Sequence, residues 1–318
     1  MLHITNGESV IQSFRAAKLD GTYLSWLDVL HEGPVPDLPF DALAGVRARA
    51  IADLGWGDFE RIRKAFSTRN AVLASYLDHE EVVLWFEHDL FDQLQLIQVL
   101  DWFAGRDLGR TRLSLINIGA FPGVEPFYGL GQLTGEQLAS LTPTRLPVTL
   151  GQLALGKAAW KAFRSPSPST LVGLLSRDTS ALPFLRPALQ RFIEEYPSVH
   201  NGLSRTEQQL LEATAAGGLR RADIFPASQQ RETSRFLGDA SAWLRLDLLA
   251  SDPAPALRRL AADQYQITSQ GRKLLDGSAD WIRSRGGLDR WFGGVHLAGP
   301  DAAWRYDRER GLTAQTRA

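Results

Sequence analysis

Short apolar runs alternate with stretches of helical periodicity along the first 120 residues. Residues 2–5 are apolar and end at Asn6-Gly7, which predicts a strand and a turn. Across residues 9–19, Val10, Ile11, Phe14 and Ala17 fall on one face of a 3.6-residue repeat, which predicts an amphipathic helix. Residues 22–30 are aromatic and aliphatic and predict a second strand, closed by H-E-G-P-V-P. Two helices are expected over 40–54 and 59–77, separated by Gly55 and Gly57. Residues 82–86 form a continuous apolar run, the mark of a strand buried on both faces. A helix over 90–103 and a fourth strand over 112–118 follow. Strands joined by helices imply a parallel sheet with right-handed crossovers. The expected fold is α/β, with a Rossmann-like three-layer domain over residues 1–125.

Beyond it the pattern changes. Residues 126–203 read as a loop and helical connector. The Gly- and Pro-rich part, residues 120–150, is expected to cross the mouth of the sheet and to hold a short helix at 135–141. Residues 204–277 read as a second module, opening on the capping box S-R-T-E with Ser204 at the N-cap and Glu207 three positions on. Helices over 220–225 and 232–249, a hairpin of 257–261 with 265–268, and a helix over 269–275 resemble a winged helix-turn-helix. The aromatic tail, residues 278–318, contains Trp291, His296, Trp304 and Arg305 and is expected to pack back on the body.

Composition narrows the chemistry. The chain has 318 residues, 44% hydrophobic and 22% charged, which suits a globular protein of two or three domains. It has no cysteine, so disulfides, thiolate metal sites and cysteine nucleophiles are excluded. No run is long enough to predict a membrane span, and the opening M-L-H-I-T-N-G-E-S lacks the pattern of a secretory signal, so a cytoplasmic protein is expected. Residues 1–150 carry 12 Lys/Arg against 19 Asp/Glu, a net of −7, which disfavours a polyanion backbone as partner there.

Ligands of open α/β sheets bind outside the carboxyl ends of the strands, and here those ends carry the polar side chains. Asn6, Gly7, Glu8 and Ser9 occupy the first strand-to-helix turn. Gly7 admits a close backbone approach, and a helix N-terminus favours an anion; equally, Gly7 is a turn residue and Ser9 an N-cap. There is no G-x-G-x-x-G, so the dinucleotide fingerprint is absent. His31 and Glu32, with Asp28 three residues earlier, end the second predicted strand. A histidine beside a carboxylate suits acid–base work or metal ligation. The third strand delivers Glu87, His88 and Asp89, with Asp92 and Gln93 on the next helical turn. Alternation sends Glu87 and His88 to opposite sides, so one of the two is expected at the crevice. Asp89 and Asp92 also fit an acidic N-cap pair. Asn117 ends the fourth strand. A divalent metal suits two histidines and several carboxylates, although no zinc spacing such as H-E-x-x-H is present. Pairing Ser9 with His31 or His88 as nucleophile and base is less favoured, because G-x-S-x-G is absent.

The motifs H-I-T-N-G-E-S, L-H-E-G-P-V-P and L-W-F-E-H-D-L-F-D-Q together resemble the bacterial domain-of-unknown-function family 1835, which opens on H-I-x-N-G-D-S. The later P-F-L-R-P-A-L, G-L-S-R-T-E and W-F-G-G-V-H-L patterns extend the resemblance over nearly the whole chain. Where the family has Asp after Asn-Gly, Glu8 stands here, keeping the charge with a longer reach. The resemblance implies the domain assignment and brings no established activity.

The expected function is a hydrolase or transferase for an anionic or nucleotide-like small molecule. His31 and His88 would supply acid–base chemistry, oriented by Glu32 or Glu87. Asn6, Gly7, Glu8, Ser9, Asp28, Asp89, Asp92, Gln93 and Asn117 would bind the ligand. The alternatives are a ligand-sensing transcriptional regulator and a non-catalytic scaffold with a protein partner or a second copy of the chain. DNA is the less favoured partner. The predicted helix before the hairpin mixes Arg235, Asp239, Arg245 and Asp247, leaving Arg258 and Arg259 of the wing for phosphates in a module of net charge +1, with 10 Lys/Arg against 9 Asp/Glu.

Overall fold

The computed structural model describes residues 1–215 and 219–315, and the chain divides into two compact units, Met1–Ala188 and Leu189–Ala318. The first is an α/β unit. Its sheet has the order β2-β1-β3-β4-β5, formed by β1 (Leu2–Thr5), β2 (Thr22–Ser25), β3 (Glu81–Glu87), β4 (Arg112–Ile118) and β5 (Leu146–Pro147). The first four strands are parallel, and the two-residue β5 is an antiparallel edge that the sequence pattern did not mark. The helices are α1 (Glu8–Ala16), α2 (Phe40–Asp53), α3 (Phe59–Ala74), α4 (Leu90–Phe103), α5 (Gly135–Leu141), α6 (Leu150–Phe163) and α7 (Ser169–Leu175), with α8 (Leu185–Ile193) next in the chain.

Strand β3 is the spine of the sheet, and all seven of its residues are buried. Val83 and Trp85 pack with Val10 and Phe14 of α1 and Leu138 of α5. Strand alternation sends Val82, Leu84 and Phe86 to the other face. His3 is absorbed into this core. Trp85 Nε1 donates to His3 Nδ1 at 3.1 Å, which leaves His3 Nε2 to carry the proton toward Asp20 O at 3.2 Å. Burial lowers the His3 pKa, so the ring is held neutral.

The second strand is shorter than its composition predicts. It stops at Ser25, although Trp26 N still reaches Thr5 O at 2.7 Å. Asp28 then turns inward to meet Arg47, and this ion pair, 1% exposed on both sides, outweighs continuation of the ladder. His31 and Glu32 therefore lie in a turn beyond the strand and not at its end.

The second unit contains α9 (Arg205–Thr214), α10 (Arg221–Gln229), α11 (Asp239–Leu249), α12 (Ser269–Leu275) and α13 (Trp281–Ser284). Its strands make three small antiparallel sheets: β6 (Leu219–Arg220) and β7 (Leu257–Ala261) flank β8 (Gln264–Ile267), β9 (Leu288–Phe292) pairs with β10 (Val295–Gly299), and β11 (Trp304–Asp307) pairs with β12 (Gly311–Ala314). The capping box forms, with Ser204 Oγ accepting from Glu207 N and Glu207 accepting from Ser204 N. The helix expected over 232–249 begins only at Asp239. Glu232 is drawn instead to Arg191 at 2.9 Å and Arg205 at 2.7 Å. Burial alone would raise the Glu195 pKa, but Arg191 and Arg290 hold it at about 2. The aromatic tail packs within this unit: Phe292 stacks on Tyr196 at 4.2 Å, and Arg305 pairs with Asp280. No helix among the described residues is long and apolar enough to cross a membrane.

Candidate functional site

Register builds the site. Thr5 lies opposite Trp85, and Trp85 opposite Ile116, so the chain leaves β1 at Asn6 level with the last residues of β3. Asn6 Nδ2 donates to Glu87 Oε1 at 3.1 Å and to Asp92 Oδ2 at 2.6 Å. Asp92 Oδ1 accepts from Glu87 N at 2.9 Å, and Asp89 Oδ1 accepts from Asp92 N at 2.8 Å as the N-cap of α4. Glu87, Asp89 and Asp92 each place a carboxylate oxygen within 4.8 Å of the others. Among the described residues no histidine joins such a cluster.

Burial is the main force on these groups. It raises the Glu87 pKa well above the ordinary carboxylate range, helped by the charges of Asp92 and Asp89. Burial and the charge of Asp92 raise Asp89 likewise. Asp92 is pushed up to about 7, burial outweighing the hydrogen bonds from Glu87 N and Asn6. The cluster therefore holds protons, or a cation in their place, near neutral pH.

The segment after β4 closes over the cluster. Leu130 N donates to Glu87 Oε2. Gly129, with φ +157°, has its backbone so close that a Cβ there would stand 2.5 Å from the Glu87 carboxyl carbon. Glycine is required by this approach as much as by its backbone angle. A Cβ on Gly131 would stand 3.3 Å from Ser9 Oγ. The same strap brings the Phe127 ring to 6.0 Å from that of His88.

The remaining expected residues separate. Gly7 caps α1 with no side-chain hydrogen bond, so Ser9 is not the N-cap, and Glu8 and Ser9 are exposed on the first turn. His88 is half-buried between Phe127 and Phe184, and burial lowers its pKa. His31 is buried against the edge of Phe91, with ring centroids 6.1 Å apart. Asp28 lies at neither strand end nor carboxylate cluster. Its Oδ1 accepts from Arg47 Nε and Nη2 at 3.0 and 2.8 Å. The same guanidinium donates to the carbonyls of Val29, Glu32 and Pro34. The His31-Glu32-Gly33-Pro34 turn is thus clamped by Arg47, a residue whose sequence context gave no sign of this role. Gln93 is buried on α4, with Nε2 donating to Glu87 O at 2.7 Å and Asn117 Oδ1 at 3.2 Å. The first and third N-terminal motifs therefore meet through Asn6, and the second, clamped by Arg47, touches the third through His31 and Phe91. Gly129 and Leu130 were also not foreseen; their only signal was the glycine-rich G-L-G-Q.

No protein-family model matches the chain, and a search of curated proteins finds no match.

Proposed function

We propose that the first unit is a hydrolase or transferase for an anionic or nucleotide-like small molecule, working at Glu87, Asp89 and Asp92 around a divalent cation. One observation carries this reading. The three carboxylates converge, and their partners among the described residues are an amide and backbone N–H groups, with no Lys or Arg. Buried like charges at this spacing are costly unless protons or a cation neutralise them. Hard divalent cations take such oxygen ligands. A bound cation would supply Lewis acidity toward a phosphoryl or carbonyl oxygen and activate water.

The chain's own groups have distinct tasks in this reading. Asn6 fixes Glu87 and Asp92 against each other, and Leu130 fixes the second Glu87 oxygen. Asp89 caps α4 by accepting from Asp92 N, and Asp92 accepts from Glu87 N. The start of α1 has no side-chain cap, so its N–H groups, next to Asn6, suit the anionic end of the substrate. Neither His31 nor His88 is among the clustered groups, and this reading gives them no acid–base step.

The motif resemblance and a Rossmann-like reading of the first unit belong to this proposal. So does a winged-helix-like reading of residues 204–277, as a packing or protein-binding module. Arg245 is buried, and Arg259 of the wing is engaged by Asp247 and Tyr265. These contacts favour the packing role over phosphate contact.

Titration with manganese(II), followed by electron paramagnetic resonance, tests the centre. Wild-type protein is expected to bind the ion, and Asp92→Asn and Glu87→Gln to lose that binding while keeping their circular dichroism spectrum. Absence of manganese binding by the wild type at millimolar ion would overturn the reading.

A further inference from the structure

Two carboxamides beside the carboxylate centre leave a matched pair of hydrogen-bonding atoms unused. Gln93 Nε2 donates to the Glu87 carbonyl at 2.7 Å, which fixes which end of that amide faces the backbone. The same Nε2 donates to Asn117 Oδ1 at 3.2 Å, which fixes the second amide in turn. What remains is one acceptor, Gln93 Oε1, and one donor, Asn117 Nδ2. Both are buried, and neither has a hydrogen-bond partner among the described residues. Gln93 is fully buried in the first turn of α4, and Asn117 lies at the C-terminal end of β4, so both are held on regular elements. Leaving such atoms unpaired costs stability. A packed core would instead use an apolar side chain at either position, and unpaired polar atoms at a strand end call for a ligand.

We infer that Gln93 and Asn117 are specificity-determining residues that read a planar N–H-beside-acceptor edge on the substrate, the edge of a nucleobase or of a primary carboxamide. Gln93 Oε1 accepts the ligand N–H, and Asn117 Nδ2 donates to the neighbouring ligand oxygen or ring nitrogen. In nucleic-acid recognition a single Asn or Gln amide reads adenine with one donor and one acceptor; here the two come from neighbouring side chains. This inference rests on the proposed small-molecule reading of the strand-end site and adds the uncharged half of the substrate to it. Both atoms are sealed from water in the closed form, so the ligand edge enters when the segment after β4 lifts from the strand ends. That segment carries Phe127, against His88, and Leu130, against Glu87.

The probes are adenosine 5′-monophosphate, nicotinamide mononucleotide and ribose 5-phosphate, titrated calorimetrically with magnesium present. The first two carry the edge, as a base and as a carboxamide, and the third carries neither. At least one edge-bearing probe is expected to bind about tenfold or more tighter than ribose 5-phosphate, and which one does so identifies the source. Asn117→Asp, which turns the donor into an acceptor, is expected to erase that preference. Asn117→Leu provides a second readout. It removes the orphan donor, so it should lose the same preference while melting no lower than wild type. Equal affinity for all three probes in the wild type, or a preference that survives both variants, overturns the inference. The manganese titration reports on the carboxylates alone, so a failed cation site and a failed amide edge give different results.

Discussion

Glu87 and Asp92 are tied together by one amide group, Asn6 Nδ2, which donates to both carboxylates at 3.1 and 2.6 Å. The contact joins residues more than eighty positions apart in the chain, at the ends of neighbouring parallel strands. It makes the two carboxylates a single titrating unit, and the first prediction follows from that.

The Asp92 pKa lies at about 7 in the folded protein, above its ordinary 3.8, mainly through burial. The folded state thus holds the proton more tightly than the unfolded chain. Its contribution to stability is complete below the unfolded pKa and is lost as pH rises toward 7. The loss is on the order of a few kcal/mol. Buried His3 and half-buried His88, with lowered pKa values, act in the opposite sense near pH 6. The difference between wild type and Asp92→Asn isolates the cluster. Melting temperatures from pH 4 to pH 8 without divalent ions are expected to fall more steeply for wild type than for Asp92→Asn. Added magnesium should restore wild type at pH 8.

Arg47 binds Asp28 and three backbone carbonyls, and it is 1% exposed. Arg47→Met strands a buried carboxylate and releases the turn at residues 31–34. A loss of about 3–5 kcal/mol is expected in urea denaturation. Adding Asp28→Leu should recover much of it, since removing both charges is far cheaper than removing one.

Gly129→Ala drives a methyl group into the Glu87 carboxylate at an unfavourable backbone angle. The strap must shift, at a cost of about 1–3 kcal/mol. Limited proteolysis should cut the variant faster between residues 119 and 134 than wild type, with unchanged cleavage elsewhere.

Glu81 is held down at about 2 by Arg145, Ser114 and Arg112 despite its burial. Its folded pKa is depressed, so its contribution is present above pH 4.5 and is lost as pH falls toward 2. Arg112 is largely exposed, which limits that contribution to about 1–2 kcal/mol. Glu81→Gln is expected to flatten the acid limb of the stability curve below pH 4.5 and to lower stability by a constant amount above it.

Duplex DNA is a further check on the second unit. Arg259 is occupied by Asp247, and the one basic residue of α11, Arg245, is buried. Filter binding at low salt is expected to show no retention with a steep salt dependence. A steep slope would restore the regulator reading.

Much of the sheet was legible because its signals are local. A short β-branched and aromatic run such as V-V-L-W-F suits a buried strand, and the periodicity of Val10, Ile11 and Phe14 suits a helix laid on it. The N-cap role of Asp89 was legible for the same reason, since cap and recipient lie three residues apart. Where the sequence misled, a distant partner had intervened. Asp28 was claimed by Arg47, and Glu232 by Arg191 and Arg205.

The sequence by itself determined β1, β3, β4 and the helices α1 to α5 of the first unit and the edge at which its polar residues gather, because hydrophobic period and turn chemistry act over a few residues. Which of those polar residues meet was decided only by the tertiary structure. Strand register set Asn6 beside Glu87, and the closing strap set Leu130 upon it. Burial there, which no local pattern encodes, raised the pKa values of all three carboxylates.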